Sequence, residues 1–346
     1  MVVLKQEDVA PECLKYLPSN YNFEVGKTLR TIKRLGAKKV TLQFPDGLLK
    51  YALVIIDIIE RYTDAECVVL NDVVYGGCCI DDKNVKSDLL IHYGHSCLVP
   101  ISEMDTKVLY VFVDIRIDVE HAAEIIRASI PGRIAIIGTV QFNSSIHRLQ
   151  KVLEKGNRPG VLPQVKPLSG GEVLGCTSPR IDGVSAVISI GDGRFHLESA
   201  MIRNPHLDFY KYCPFSRTMT REFYDYEAMT NNRKEDIRKA FQGRSFGVIL
   251  GTLGRQGNRK ILRNILERLK QYDIYLIMLQ EIKQKDLDRY QFIDSFVQIS
   301  CPRLSIDWGM TFKKPLLNPF EVFYGGGEYL MDYYSQDDKA KWNNYS

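Results

Sequence analysis

One pattern occurs three times in this chain, and it constrains the fold more than any single motif. A β-rich run, a loop, a helix with apolar residues at helical spacing and a second β-rich run follow one another, then a loop carries a cysteine. The first copy reads KKVTLQF, PDGLLKYALVIIDIIERY and CVVL, and leads into the loop of Cys78. The second starts at Arg133 with RIAIIG, TVQFNSS and IHRLQKVLEKG. It continues through a strand near Val161 to LSGGEVLGCTSP, which holds Cys176. The third starts at Ser245 with FGVIL, GTLGRQGN, RKILRNILERL and IYLIML, adds a helix, and passes through SFVQIS to Cys301 in CPRLSIDWG. Strands alternating with helices of this length form βαβ units with parallel sheets. Ligands of such sheets bind beyond the carboxyl ends of the strands. The pattern therefore predicts an α/β fold of three similar domains in a pseudo-three-fold triangle, with the three cysteines directed at one centre. Residues 1–117 form an N-terminal arm and the Cys78 domain, 118–225 the Cys176 domain, and 226–346 the Cys301 domain with a C-terminal tail. The alternative is three generic α/β domains with scattered thiols.

The segments between the copies read more simply. Residues 25–35 (VGKTLRTIKRL) are basic and amphipathic, and are expected to pack a surface helix rather than contact nucleic acid. Residues 108–113 read as a strand, DVEHAAEIIRASIP as a helix, and AVISIGDGRFHLES as a strand followed by a polar turn. YKYCPFSRTMT reads as a Tyr-rich turn before a charged helix, and the segment after Gly309 as loops with an acidic tail.

Of 346 residues, 45% are hydrophobic and 25% charged, the balance of a folded globular protein. A net charge of +4 gives no case for a polyanion binder. The first residues lack the long apolar core of a secretory signal, and no apolar run approaches a membrane span. A cytoplasmic, reducing setting is therefore expected for the cysteines at 13, 67, 78, 79, 97, 176, 213 and 301. No CxxC pair occurs, which disfavours zinc-ribbon and thioredoxin chemistry.

Thiolates bind zinc and iron–sulfur clusters. Three cysteines from three repeats are one ligand short of a closed zinc site. A [4Fe–4S] cluster on three thiolates instead keeps one iron open for a substrate, so Cys78, Cys176 and Cys301 read as metal-binding and catalytic. Cys78 is preferred to Cys79 because Gly76 and Gly77 lead directly into it. Cys13, Cys67 and Cys97 read as structural thiols. His92, His95 and His196 read as core histidines bonded to backbone. Arg303 would grip a carboxylate through its planar fork, or pair with Asp307; the sequence leaves both open. Gly254, Arg255, Gln256 and Gly257 precede a helix start, where backbone N–H groups favour an anion. With Arg303 and Asp307 they form the candidate cofactor-binding set.

The strings LPSNYNFEV, TLQFPDGLL, VVYGGCCIDD, LLIHYGHSCLVP, GEVLGCTSP, GDGRFHLE, GTLGRQGN and CPRLSIDWG together resemble the diphthamide-biosynthesis family, over residues 17–334. The resemblance implies three α/β domains around a [4Fe–4S] cluster held by Cys78, Cys176 and Cys301, with S-adenosylmethionine at the open iron. It implies a radical transfer of the 3-amino-3-carboxypropyl group to C2 of a histidine on translation elongation factor 2. A related subunit 2 as heterodimer partner and a small iron-binding electron donor are implied as well. The chain departs from the family in having Gly77 where Ala is usual, and Cys213 where Asp is frequent. Two other readings share the plan. One is the supporting, non-catalytic subunit of the same complex. The other is a quinolinate-synthase-like [4Fe–4S] dehydratase.

Overall fold

The computed structural model describes residues 11–70, 74–337 and 339–345. The first ten residues of the expected arm, and 71–73 at the start of the Cys78 loop, lie outside the described residues. The chain divides into two compact units: residues 1–117 with 140–145, and residues 118–139 with 146–346.

In the first unit, helix α1 (Val25–Leu35) is the amphipathic element expected: Val25, Leu29 and Ile32 are buried. It ends at Gly36 in the left-handed region (φ 61°). The N–H groups of Gly36 and Ala37 bond the carbonyls of Lys33 and Ile32 there, a closing turn that glycine enters without a side-chain clash. Strands β1 (Lys39–Gln43), β2 (Glu66–Val69), β3 (Leu89–Tyr93) and β4 (Val108–Val111) form an all-parallel sheet of order β2-β1-β3-β4. Every residue of β3 is buried, as expected for an inner strand covered on both faces. Helix α2 (Ala52–Tyr62) and α1 share one core with the sheet through Ile32, Leu42, Ile55, Ile58 and Tyr93. Residues 140–145 return to this unit. Gln141 Nε2 donates to the Gly94 carbonyl, Ser144 Oγ to Asp114, and Ser145 Oγ to the Ile115 carbonyl at 3.0 Å.

The second unit carries two sheets. After α3 (Val119–Ser129), capped by Asp118, come β5 (Ile134–Gly138), α4 (Asn143–Lys155), β6 (Gly160–Val161), β7 (Ala186–Ile190), α5 (Phe195–Arg203), β8 (Asp208–Cys213) and β9 (Thr218–Glu222). The sheet order is β9-β8-β7-β5-β6, parallel except for the β8–β9 hairpin. Then α6 (Tyr226–Gln242), β10 (Ser245–Gly251), α7 (Arg259–Arg268), β11 (Asp273–Leu279), β12 (Ser295–Ile299), α8 (Pro302–Trp308) and β13 (Leu316–Leu317) follow. This sheet is wholly parallel, in the order β11-β10-β12-β13. No helix among the described residues is long and apolar enough to cross a membrane.

Three sequence expectations are corrected here. The polar turn after β7 is short, and α5 starts at Phe195. The Tyr-rich stretch is a hairpin rather than a turn: its first strand pairs with β7 on one side and with β9 on the other, and Phe209 and Tyr212 are buried. The acidic tail is anchored: Tyr329, Met331, Tyr333 and Tyr334 are all buried, taking three large aromatic surfaces and a methionine out of water.

An ion cluster the sequence did not announce joins α6 to the C-terminal region. Arg233 is 2% exposed and donates to both oxygens of buried Glu321 (2.6 and 2.8 Å), to Asp236 (2.7 Å) and to the Leu316 carbonyl (2.9 Å). Glu321 also accepts from the Tyr329 hydroxyl at 2.7 Å.

Candidate active site

The Cys78 loop leaves β2 and is fastened beside the end of β1, where Val74 N–H donates to the Phe44 carbonyl (3.3 Å). Gly77–Cys79 forms a single tight turn, closed by Cys79 N–H on the Gly76 carbonyl at 2.9 Å. A Cβ on Gly77 would lie 2.3 Å from the Ser96 carbonyl oxygen, so a side chain at this position would displace the loop. Cys79 is buried and Cys78 stays partly accessible, their sulfurs 4.0 Å apart. Cys97, read as a structural thiol, is exposed after β3, with Sγ donating to the Val99 carbonyl.

Behind this turn lies a chain of polar side chains. Asp81 N–H donates to Gln43 Oε1 (3.3 Å), and His92 Nδ1–H donates to the same oxygen (3.2 Å). With Nδ1 donating, His92 Nε2 accepts from His95 Nδ1–H at 3.2 Å. The partners are thus side chains, not the expected backbone. Burial, and then the neighbouring His95, hold the His92 imidazole well below its ordinary range. His92 is therefore neutral in the fold, whereas the unfolded chain takes up a proton as pH falls below the ordinary value of 6.5. The unfolded state binds more protons, so stability rises with pH and is lost on acidification. The expected result is a urea midpoint that falls from pH 7 to pH 5 more steeply in the wild type than in His92→Gln.

In the second unit, the Cys176 loop runs along the carboxyl end of β5. Val173 N–H donates to the Gly138 carbonyl (3.0 Å), and Leu174 and Thr177 exchange backbone hydrogen bonds, so Gly175 and Cys176 form a tight tip. The C-terminal segment straps this tip. Ser178 N–H reaches the Met331 carbonyl (2.8 Å), Tyr333 N–H the Cys176 carbonyl (3.3 Å), and Tyr334 N–H the Thr177 hydroxyl (2.8 Å). Burial pushes the Cys176 thiol up to about 12, and adjacent Cys301 adds to this, while the Thr177 hydroxyl and the Arg303 charge oppose it.

Cys301 follows β12 directly and caps α8, with Pro302 in the first turn. Arg303, on the same turn, is not an open fork. Nε donates to both Asp307 oxygens (2.9 Å each), Nη1 to the carbonyls of Gly175 (3.2 Å) and Phe195 (2.6 Å), and Nη2 to Glu198 (2.7 Å). The Asp307 pair is present, and the Cys176 loop and α5 are joined to it. Burial, then the Arg303 charge, brings His196 down to about 4.

The Gly254–Gly257 turn packs against the Cys301 loop. Gly254 is left-handed (φ 52°), a Cβ on Gly257 would lie 2.2 Å from the Gly251 carbonyl, and Ser300 Oγ donates to Gln256. The start of α7 is not an open anion cradle, because Asn258 Oδ1 already accepts from the N–H groups of Lys260 (2.8 Å) and Ile261 (3.2 Å). Beside Arg303 a cleft of about 610 Å³ opens, lined by Phe195, Glu198, Tyr224, Asp307, Trp308 and Met310 among others.

Each candidate cysteine thus sits in a loop beyond the carboxyl end of a parallel strand. Among the described residues no group of three His, Cys, Asp or Glu side chains is arranged to hold a metal ion. The second unit offers two thiols outside any disulfide, Cys176 and Cys301, and the charge of Cys301 bears on Cys176. Soft sulfur donors of this kind fit an iron–sulfur group. Sequence reading missed Glu198, Phe195 and Gly175 as neighbours of Arg303, and the strap of Tyr333 and Tyr334. The GDGRFHLE string was noticed only as a motif.

The sequence profile of diphthamide synthesis proteins matches residues 44–334. The chain is 73% identical to 2-(3-amino-3-carboxypropyl)histidine synthase subunit 1 of Encephalitozoon cuniculi over 347 aligned positions, covering 100% of both. It is 47% identical to the human protein of that name, over 95% of this chain and 78% of the human one. Among solved structures it is similar to Dph2 from Pyrococcus horikoshii, with a TM-score of 0.75 and 24% identity over 90% of this chain and 93% of that one. A second structure of that archaeal protein is described as being with a 4Fe-4S cluster. With a family match over most of its length and a relative this similar from end to end, the chain belongs to the diphthamide synthesis protein family.

Proposed function

We propose that this chain carries out the first step of diphthamide formation. It transfers the 3-amino-3-carboxypropyl group of S-adenosylmethionine to C2 of a histidine imidazole on translation elongation factor 2. The observation that carries this reading is the full-length 73% identity to a protein named for the histidine synthase activity. The sulfur donors support it: Cys78, Cys176 and Cys301 would hold a [4Fe–4S] cluster with one open iron. A reduced cluster held by these thiols would supply the single electron that reductive cleavage of a sulfonium C–S bond needs, with 5′-methylthioadenosine as the leaving group.

The chain's own residues have separable tasks. The Gly76–Gly77 turn presents Cys78 while Cys79 stays in the core. The strap from Met331 to Tyr334 holds the Cys176 tip, and the α8 start holds Cys301. The cleft of about 610 Å³ beside α8 brings Glu198 and Asp307, the partners of Arg303, to a solvent-reachable surface next to Cys301. A related second subunit, a small iron-binding electron donor and a cytoplasmic setting belong to the same proposal. So does the division into three sheet-bearing domains, 1–117, 118–225 and 226–346.

The test is anaerobic reconstitution, followed by iron and sulfide analysis and reduction with dithionite in the presence of S-adenosylmethionine. The expected products are 5′-methylthioadenosine and, with the second subunit and elongation factor 2 added, a modified histidine peptide. A protein that takes up iron and sulfide but forms neither product under these conditions would overturn the reading.

A further inference from the structure

We propose that Arg303 is a positioning residue that registers the Cys176 loop against the Cys301 helix before any metal binds, not a fork awaiting a carboxylate. This rests on the reading that both thiols ligate one cluster. The acceptors of Arg303 come from three separate segments. Asp307 lies on its own helix, Gly175 immediately precedes Cys176, and Phe195 and Glu198 open α5. A guanidinium has five N–H donors, and these bonds use four of them. The side chain is 3% exposed, so the bonds form out of water, where planar multi-point contacts have the most effect.

Packing fixes the same arrangement. The Phe195 ring lies 4.3 Å from the guanidinium carbon, within stacking range. A Cβ on Gly175 would come within 1.9 Å of that ring, so glycine is what lets the Cys176 tip lie against Phe195. The far side is anchored as well. Glu198 also pairs with Arg194 (3.3 Å), which bonds Glu222 and the Phe223 carbonyl (2.9 Å). Asp307, Arg303, Glu198, Arg194 and Glu222 thus form a line of alternating charges from the Cys301 helix to the β8–β9 hairpin. A lysine at 303 would keep the charge but reach only part of this acceptor set.

Hydrogen exchange of the metal-free protein reads the clasp without any cluster. Arg303→Lys is expected to speed amide exchange about tenfold in residues 173–178 and 195–199, with 134–138 unchanged. Iron retained after reconstitution should fall to roughly a third or less of wild type. Glu198→Gln, which keeps size and the fold's apolar contacts, should show the same pattern more weakly and serves if Arg303→Lys does not fold. Wild-type exchange in both variants overturns the clasp. Wild-type exchange and iron with loss of S-adenosylmethionine cleavage assigns Arg303 to direct cofactor binding instead. A wild-type protein that never takes up iron defeats the cluster reading alone, since the exchange difference stands independently.

Discussion

Cys78→Ala is expected to leave reconstituted protein with less than about a tenth of the wild-type iron and no turnover, whereas Cys79→Ala keeps most of both. The two thiols are adjacent in sequence and 4.0 Å apart, so the contrast tests orientation rather than location. Cys79 is 5% exposed and belongs to the interior of its unit. Exchanging the two would require the Gly77–Cys79 turn to rotate. Gly77 already lies against the Ser96 carbonyl at a distance that no side chain would tolerate. Iron and sulfide content and visible absorbance of the two variants decide the matter. Survival of the cluster in Cys78→Ala with its loss in Cys79→Ala reverses the assignment.

The largest expected effect on stability is at Arg233. Arg233→Met strips buried Glu321 of its counter-charge and leaves the Leu316 carbonyl without this donor, which should cost about 3–5 kcal/mol in urea unfolding. A second change, Glu321→Gln, should recover part of that loss, because the uncompensated carboxylate is the main penalty rather than the absent pair. If Arg233→Met unfolds with a free energy within about 1 kcal/mol of wild type, the cluster is not the structural tie described above.

The parts legible in the sequence were those with local causes. Central strands such as Ile134–Gly138 and Ser295–Ile299 are short runs dominated by apolar residues, and their parallel pairing follows from the helices between them. The three cysteines stood out because the same local frame preceded each. What stayed hidden depends on long separations. Arg303 meets Gly175 and Glu198 across more than a hundred positions, and nothing near Arg303 distinguishes them from other acceptors except Asp307, which sequence did offer. The C-terminal strap was read as a tail because acidic residues there mask buried tyrosines, whose role appears only when the Cys176 carbonyl finds Tyr333 N–H. At α7 the helix start was legible, but Asn258 was not recognised as its own cap, which takes up the N–H groups of Lys260 and Ile261.

The return of residues 140–145 to the first unit bears on how such a gene can be divided. A break after Ile117 would separate the carbonyls of Gly94 and Ile115 from Gln141 and Ser145, their partners a short way downstream. A first unit inherited or exchanged on its own would start life with those groups unmet. A first unit produced by itself therefore has to include the opening turn of α4 if those carbonyls are to keep these partners.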